Sequence, residues 1–239
     1  VWAWQAPDEQ GHAISAVSLR CPATGQRDSF RPTTALIVCE KAIQSVIAQT
    51  YQDFEIVVVN DGTVDVSEVV APLNKDGRIT TIRHDRNRGL AAARNTGLRA
   101  AKGTYIAYLD DDDTYLPDHL ETLVTALQSG EHKVVYTDAW RIHEARQGDA
   151  YVVTGRDMPY SKDFNCIDLL VYNYIPVLCV MHEKACLEQV GVFDESLFAH
   201  EDWDLWIRMA TLYPFLPYQE DHGRVHLASR RLVDDQQHQ

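Results

Sequence analysis

The sequence predicts an α/β fold: a mostly parallel sheet flanked by helices. Short runs that are apolar throughout, Glu55-Ile-Val-Val-Val59 and Thr104-Tyr-Ile-Ala-Tyr-Leu109, alternate with segments of helical spacing. Strands buried on both faces belong to sheets covered by helices. Each of these runs also stops at acidic or turn-forming residues, Asn60-Asp61-Gly62 and Asp110–Asp113, as strands do where connecting loops gather beyond one sheet edge.

Taken in order, Val1–Pro32 reads as an irregular lead-in or the end of a preceding module, with Ala13–Leu19 its one short strand candidate. The alternation then begins, with Ala35–Val38 expected as a strand and Glu40–Gln49 as a helix through Ile43, Val46 and Ile47. Strand Glu55–Val59, helix Asp65–Leu73 and strand Ile79–Ile82 follow. Gly89–Ala101 is an Ala-rich helix with Leu90, Ala93, Gly97, Leu98 and Ala101 on one face, closed by Lys102-Gly103 as a cap. Strand Thr104–Leu109 runs into Asp110–Asp113, and a helix spans about Pro117 to Leu127. Beyond Val134–Thr137 the pattern loosens through the polar Arg141–Asp163. It resumes with Cys166–Tyr174, the run Ile175–Met181 and helices near Lys184–Val190 and from Glu201.

A length of 239 residues with 45% apolar side chains suits one domain with a real core. A net charge of -13 argues against a binder of nucleic-acid backbones, whose affinity rests on Lys and Arg. It leaves a nucleotide ligand open, because a bound cation can supply the missing positive charge. Five irregularly spaced cysteines with no C-x-x-C pair suit reduced thiols and a cytoplasmic setting, and Cys179 reads as core. No apolar run approaches the roughly 20 residues of a membrane span. The start at Val1 leaves room for membrane association through regions outside this chain.

The carboxylates at strand ends are the strongest chemical signal. Four adjacent acids at Asp110–Asp113 repel by roughly 1 kcal/mol per close pair in water and more at lower dielectric. A cation relieves that repulsion, and oxygen-only ligands point to Mn²⁺ or Mg²⁺ over zinc. The competing reading has Asp112 or Asp113 capping the next helix. Asp113 suits that role, with Asp111 a spacer.

Four segments together resemble inverting family 2 glycosyltransferases of the GT-A fold. Residues Ala42-Ile-Gln-Ser-Val-Ile-Ala-Gln-Thr-Tyr-Gln-Asp-Phe-Glu-Ile-Val-Val-Val-Asn-Asp-Gly62 are similar to that family's first nucleotide-binding segment. Asn87-Arg-Gly-Leu-Ala-Ala-Ala-Arg-Asn-Thr-Gly97, with Gly103–Asp113, resembles the segment carrying its D-x-D motif. Gly191-Val-Phe-Asp-Glu195 and Glu201-Asp-Trp-Asp-Leu-Trp-Ile-Arg208 resemble its acceptor-side segment. The resemblance covers Thr33 to His226 and implies a single domain over 33–239. Residues 33–138 would form its nucleotide and metal half, and 139–239 its acceptor half.

The resemblance also implies roles. Asp61 would hydrogen-bond the donor base, usually uracil, with Gly89, Arg94 and Asp110 also lining the nucleotide. Asp110, Asp112 and His226 would face the metal, Mn²⁺ or Mg²⁺. Asp202 would be the catalytic base, with Glu201 beside it. The implied partners are a UDP-sugar and a glycan, lipid-linked or protein acceptor, with acceptor contacts from Arg141–Asp163 and Asn173–Met181. Asp202 also suits a helix N-terminus through the dipole, and Trp203 and Trp206 suit the core by their spacing.

One place departs from the family. A loop should follow the strand at Ala35–Val38, yet Cys39 follows Val38 directly, whereas βα connections take about 2–6 residues. A nucleotide-closing loop is therefore expected to be absent from between them. Two other functions remain open at this level. A catalytically inactive module of the same fold would bind or scaffold, whereas a metal-dependent nucleotidyltransferase would need a Gly-rich basic loop after the first strand.

Overall fold

The structure, a computed structural model, describes residues 13–17, 32–62, 64–147, 150–218 and 228–233. The chain order is β1 (Ile14–Val17), α1 (Pro32–Ile47), β2 (Phe54–Asn60), α2 (Ser67–Leu73), β3 (Ile79–Arg83) and α3 (Leu90–Ala100). Next come β4 (Tyr105–Tyr108), β5 (Asp113–Tyr115), α4 (His119–Gln128), β6 (Val134–Thr137) and the hairpin β7 (Ala139–Gln147) and β8 (Ala150–Asp157). The chain continues through α5 (Cys166–Leu169), a 3-10 turn at Val177–Cys179, β9 (Val180–Glu183) and α6 (Cys186–Val190). Last come α7 (Glu201–Ala210), β10 (Phe215–Tyr218) and β11 (Ala228–Val233).

Seven strands form the main sheet in the order β10-β6-β9-β4-β1-β2-β3. β3, β2, β1 and β4 are mutually parallel, as are β10 and β6, and only β9 runs antiparallel to its neighbours. All seven residues of β2 are buried, as its apolar run requires. A second sheet, β5-β11-β7-β8, takes up residues expected as a polar stretch: β7 and β8 pair antiparallel with a bulge at His143/Glu144. No helix among the described residues is long and apolar enough to cross a membrane.

One expectation is corrected at the start of the domain. Ala35–Val38 is not a strand but the opening of α1. Pro32 stands at its first position, where a missing N–H costs nothing, and Cys39, Ala42, Ile43 and Val46 bury one helical face. A four-residue apolar run cannot by itself separate strand from helix. Val38 and Cys39 are consecutive residues of this one helix. The strand before α1 is β1, from within the expected lead-in, and residues 18–31 connect the two.

β1 sits in the middle of the sheet because its polar residue is satisfied there. Ser15 Oγ donates to Glu55 Oε1 at 2.6 Å and accepts the Gly103 N–H at 2.7 Å. The Lys102 N–H also donates to Glu55 Oε1. Gly103 is therefore not the left-handed cap expected after α3. A side chain there would meet the backbone of β1, with Ser15 N at 2.6 Å and the Ile14 carbonyl carbon at 2.7 Å from its Cβ. Glycine lets β4 enter beside β1.

Behind β4, Tyr108 Oη and His182 Nε2 lie 2.8 Å apart, and His182 Nδ1 lies 2.8 Å from the Glu183 carbonyl. The carbonyl can only accept, so Nδ1 carries the proton and Tyr108 donates to Nε2. Burial of this ring pushes the His182 pKa down to about 4.

Two predictions follow from this packing. Gly103→Ala should lower the unfolding free energy by about 1–3 kcal/mol, seen as a lower urea midpoint at unchanged slope. Unfolded His182 protonates near its ordinary pKa of about 6.5, whereas folded His182 stays neutral to about 4. Its contribution is thus full above pH 6.5 and declines toward pH 4 by up to about 1.4 kcal/mol per pH unit. Urea titrations at pH 4.5 and 7 should show a smaller stability difference for His182→Asn than for the wild type.

Candidate active site

Because β1 to β4 are parallel, the segments after β2, β3 and β4 emerge at one sheet edge, where α/β sheets bind ligands. A cleft of about 930 Å³ opens there. The first half of the chain lines it with Asn87–Ala91, Arg94, Asp110 and Asp113, and the second half with Tyr160, Asn173, Pro176–Leu178 and Glu195–Asp202.

Arg94 ties the two halves together. It is 2% exposed, and its Nη2 lies 3.1 Å from both oxygens of Asp110 at the end of β4. Its Nη1 donates to Glu201 Oε1 at 2.5 Å, at the first position of α7. Burial is the largest influence and opposes the charge, yet Asp110, Glu201 and Asp202 hold the guanidinium pKa above its ordinary value. The neighbouring Asn95 donates to the Phe193 carbonyl at 2.8 Å and accepts the Phe193 N–H at 3.0 Å. Two consecutive residues of α3 thus fasten it to the segment leading into α7.

Asp61 is fully buried beneath the cleft. Its carboxylate accepts the Arg88 N–H at 2.8 Å, the Gly89 N–H at 2.9 Å and His84 Nδ1 at 2.6 Å. These bonds shape the loop before α3, where Gly89 has φ 92°, a conformation suited to glycine. Asp61 itself does not line the cleft. The backbone that Asp61 holds, Asn87 to Gly89, does line it.

The acidic run divides. Asp110 faces the cleft and Arg94, while Asp112 is half-buried and lies outside the cleft lining. Asp111 is buried, and its Oδ2 has no hydrogen-bond partner among the described residues. Burial, with Asp112 and Asp110 alongside, raises its pKa well above the carboxylate range. Asp113 is not a helix cap: it opens β5, is 3% exposed and lines the cleft, whereas Asp118 precedes α4. No cluster of three or more His, Cys, Asp or Glu side chains among the described residues is arranged to hold an ion. Mg²⁺-type sites often use only one or two carboxylates and take their other oxygens from substrate phosphates. Asp110 and Asp113 at the cleft, with an orphaned carboxylate oxygen on Asp111 between them in sequence, fit such a partial site. His226 lies outside the described residues.

Asp202 stands in the first turn of α7, on the cleft side. Its Oδ1 accepts the Trp203 N–H at 2.7 Å, and its Oδ2 accepts from Asn173 Nδ2 at 3.3 Å. His200, just before the helix, has φ 65° and is the one non-glycine residue with positive φ among those described. Backbone strain of this kind persists where surrounding structure enforces it, often at functional sites. Trp206 is fully buried with its indole N–H on the Ile175 carbonyl at 3.1 Å, and Trp203 donates to the Leu169 carbonyl. Both serve packing, as their spacing suggested.

Asp110, Arg94, Gly89, Glu201 and Asp202 therefore converge on one cleft, with Asp61 as support beneath it. The sequence profile of the family described as Glycosyl transferase family 2 matches residues 38–188. The chain belongs to glycosyl transferase family 2. An uncharacterised glycosyltransferase of Rickettsia prowazekii is 32% identical over 179 residues, covering 72% of this chain and 55% of that protein. One of Bacillus subtilis is 32% identical over 178 residues, covering 74% of this chain and 64% of that protein. The chain thus spans little more than half to just under two thirds of the length of these curated relatives.

Two solved structures share the fold. Staphylococcus aureus TarS in complex with UDP matches with a TM-score of 0.65 at 15% identity, over 92% of this chain and 60% of that one. A mannosyltransferase of Pyrobaculum calidifontis in complex with GDP-Man and Mn²⁺ matches at 0.62 and 18%, over 95% of this chain and 60% of that one. The GT-A architecture expected of the family 2 chain is the one it adopts.

Sequence reasoning gave no role to Asn87, Arg88 or Asn95, although all three lie within the quoted Asn87–Gly97 motif, whose asparagines were a usable signal. Asn173 opens the stretch Asn173–Met181 expected to contact the acceptor, but its bond to Asp202 had no signal in the sequence.

Removing Arg94 would strand Glu201 and Asp110 without their cation. Arg94→Met should cost about 3–5 kcal/mol by chemical denaturation, and Glu201→Gln distinctly less because it leaves a neutral acceptor for the same guanidinium.

Proposed function

We propose that this domain is a metal-dependent, inverting glycosyltransferase that moves a sugar from a nucleotide-diphospho-sugar to an acceptor hydroxyl, with Asp202 as general base. The observation that carries this reading is the cleft itself. Asp110, the N-terminal end of α3 and Asp202 all line it. Residues 33–138 and 139–239 both contribute to this one cleft, which supports a reading with a donor half and an acceptor half.

Each residue then has a task. The α3 N-terminus and the Asn87–Gly89 backbone face the nucleotide diphosphate, because free N–H groups and the helix dipole favour anions. Asp61 acts on the nucleotide through the loop it holds. Asp110 and Asp112 would hold Mn²⁺ or Mg²⁺, with His226 completing the set. Such a cation, when bound, neutralises charge on the leaving diphosphate. Asp202 takes the proton of the acceptor hydroxyl as its oxygen bonds to the sugar C1. The bond from C1 to the phosphate oxygen breaks with its electron pair leaving on the nucleoside diphosphate. One displacement inverts the anomeric centre and needs no nucleophile from the protein. Glu201 holds Arg94 and does not touch the reacting atoms.

UDP-sugars are the first donors to test, with GDP-sugars second, since the two neighbouring folds are in complex with UDP and with GDP-Man. The protein is incubated with a panel of nucleotide sugars, with and without Mn²⁺, and free nucleoside diphosphate is measured. Turnover should depend on Mn²⁺, and Asp202→Asn should lower kcat by about 10²–10⁴-fold. Undiminished turnover in Asp202→Asn would refute the assigned base. No turnover and no thermal stabilisation by UDP or GDP with Mn²⁺ would point to an inactive scaffold.

A further inference from the structure

Asp202 is held by a residue that no motif singles out. Asn173 lines the same cleft, and its Nδ2 donates to Asp202 Oδ2 at 3.3 Å. The other end of its amide is committed, because Oδ1 accepts the Ile175 N–H at 3.1 Å. That bond is an Asx turn, and it settles which way the amide faces: the oxygen must meet the backbone N–H, so the NH₂ group meets the carboxylate.

The backbone carrying this amide is itself anchored. Tyr174 and Ile175 are buried, and Tyr174 Oη accepts the Asn165 N–H at 2.9 Å. The Ile175 carbonyl accepts the Trp206 indole N–H, and Trp206 lies on the same helix as Asp202. The amide and the carboxylate are therefore mounted on parts that cannot shift independently. With the Trp203 N–H on Oδ1 and Asn173 on Oδ2, the Asp202 carboxylate has both oxygens oriented from the protein side.

We propose that Asn173 is a positioning residue for the base: its amide fixes the carboxylate of Asp202 so that a remaining lone pair faces the acceptor hydroxyl. This rests on the reading of Asp202 as base. A merely structural role, closing the turn into Ile175, predicts different behaviour from the right substitutions. Asn173→Asp keeps the turn-closing oxygen and the side-chain shape but sets a carboxylate against Asp202. Asn173→Ser keeps a hydroxyl that can close the turn but is too short to reach Asp202.

The test measures kcat, donor KM and thermal midpoint on the whole chain, using whichever nucleotide sugar turns over with Mn²⁺. Both variants should lose about tenfold or more in kcat, as small misplacements of a catalytic group do. Donor KM should stay within about twofold, and the thermal midpoint should be unchanged. In Asp202→Asn the further change Asn173→Asp should cost nothing more, because residues acting as a unit are non-additive. Wild-type kcat in Asn173→Asp, or an undiminished loss from it in Asp202→Asn, would overturn the proposal. The two readings fail separately. An inactive Asp202→Asn beside a fully active Asn173→Asp removes only the positioning role, whereas a fully active Asp202→Asn removes the base itself.

Discussion

A guanidinium with almost no solvent contact must be met by carboxylates, and that demand organises this domain. Arg94 draws Asp110 from the end of β4 and Glu201 from the start of α7, two points 91 residues apart in sequence (201 less 110). Such a buried network stabilises little compared with a well-packed apolar substitute, and its value lies in placement. Once Arg94 is satisfied, the first turn of α7 can lie only beside the carboxyl edge of the parallel strands. Asn95 adds a second clamp through Phe193, so two adjacent residues of α3 hold the segment that leads into α7.

The helix that bears these residues is shaped for the purpose. Ala91, Ala92 and Ala93 are buried, and Ala93 packs with Val57 and Val59 of β2. Small side chains let α3 lie close to the sheet, which keeps Arg94 under the cleft and out of solvent. Upstream, Asp61 fixes the backbone from Arg88 to Gly89, so the helix begins at a set point. The polar knot of Ser15, Glu55 and Gly103 holds β1 and β4 at the opposite sheet edge. The cleft is thus the free end of a sheet whose other end is locked.

Much of this was legible in the sequence where periodicity and chemistry agreed. β2, α3, β4 and α4 announce themselves because each has an unbroken apolar face, and the acids follow from strand ends. β1 was legible only as the short strand candidate Ala13–Leu19; its buried Ser15 breaks the apolar pattern, and the partner Glu55, 40 residues on, makes it acceptable. Ala35–Val38 misled because four apolar residues suit either a strand or the first turn of a helix. β7 and β8 looked like a polar loop since β8 exposes Val152 and Val153, so no alternation marks an inner face. At the site, Glu201 and Asp202 are adjacent acids that residue type alone cannot tell apart; only the family resemblance singles out Asp202. In the structure both line the cleft, and the bond to Arg94 makes Glu201 the counter-ion.

The two helices facing the cleft also differ in how their N-termini are charged. α3 has no acidic residue in its first turn, whereas α7 has Glu201, Asp202 and Asp204. Helix N-termini favour negative charge. α7 satisfies that preference from its own sequence, so an anion has little reason to approach it. α3 leaves the preference open, and its neighbours Asn87 to Gly89 present backbone to the same space. On the proposed reading this sorts the substrates: the diphosphate is drawn to α3, and the uncharged hydroxyl is left to the carboxylate side. Arg94 sits between the two ends with its charge already spoken for by Asp110 and Glu201, which keeps the phosphate from being pulled toward the base. On the same reading, these unlike helix ends, with the cation at Asp110, set the direction of the donor before any contact specific to one sugar is made.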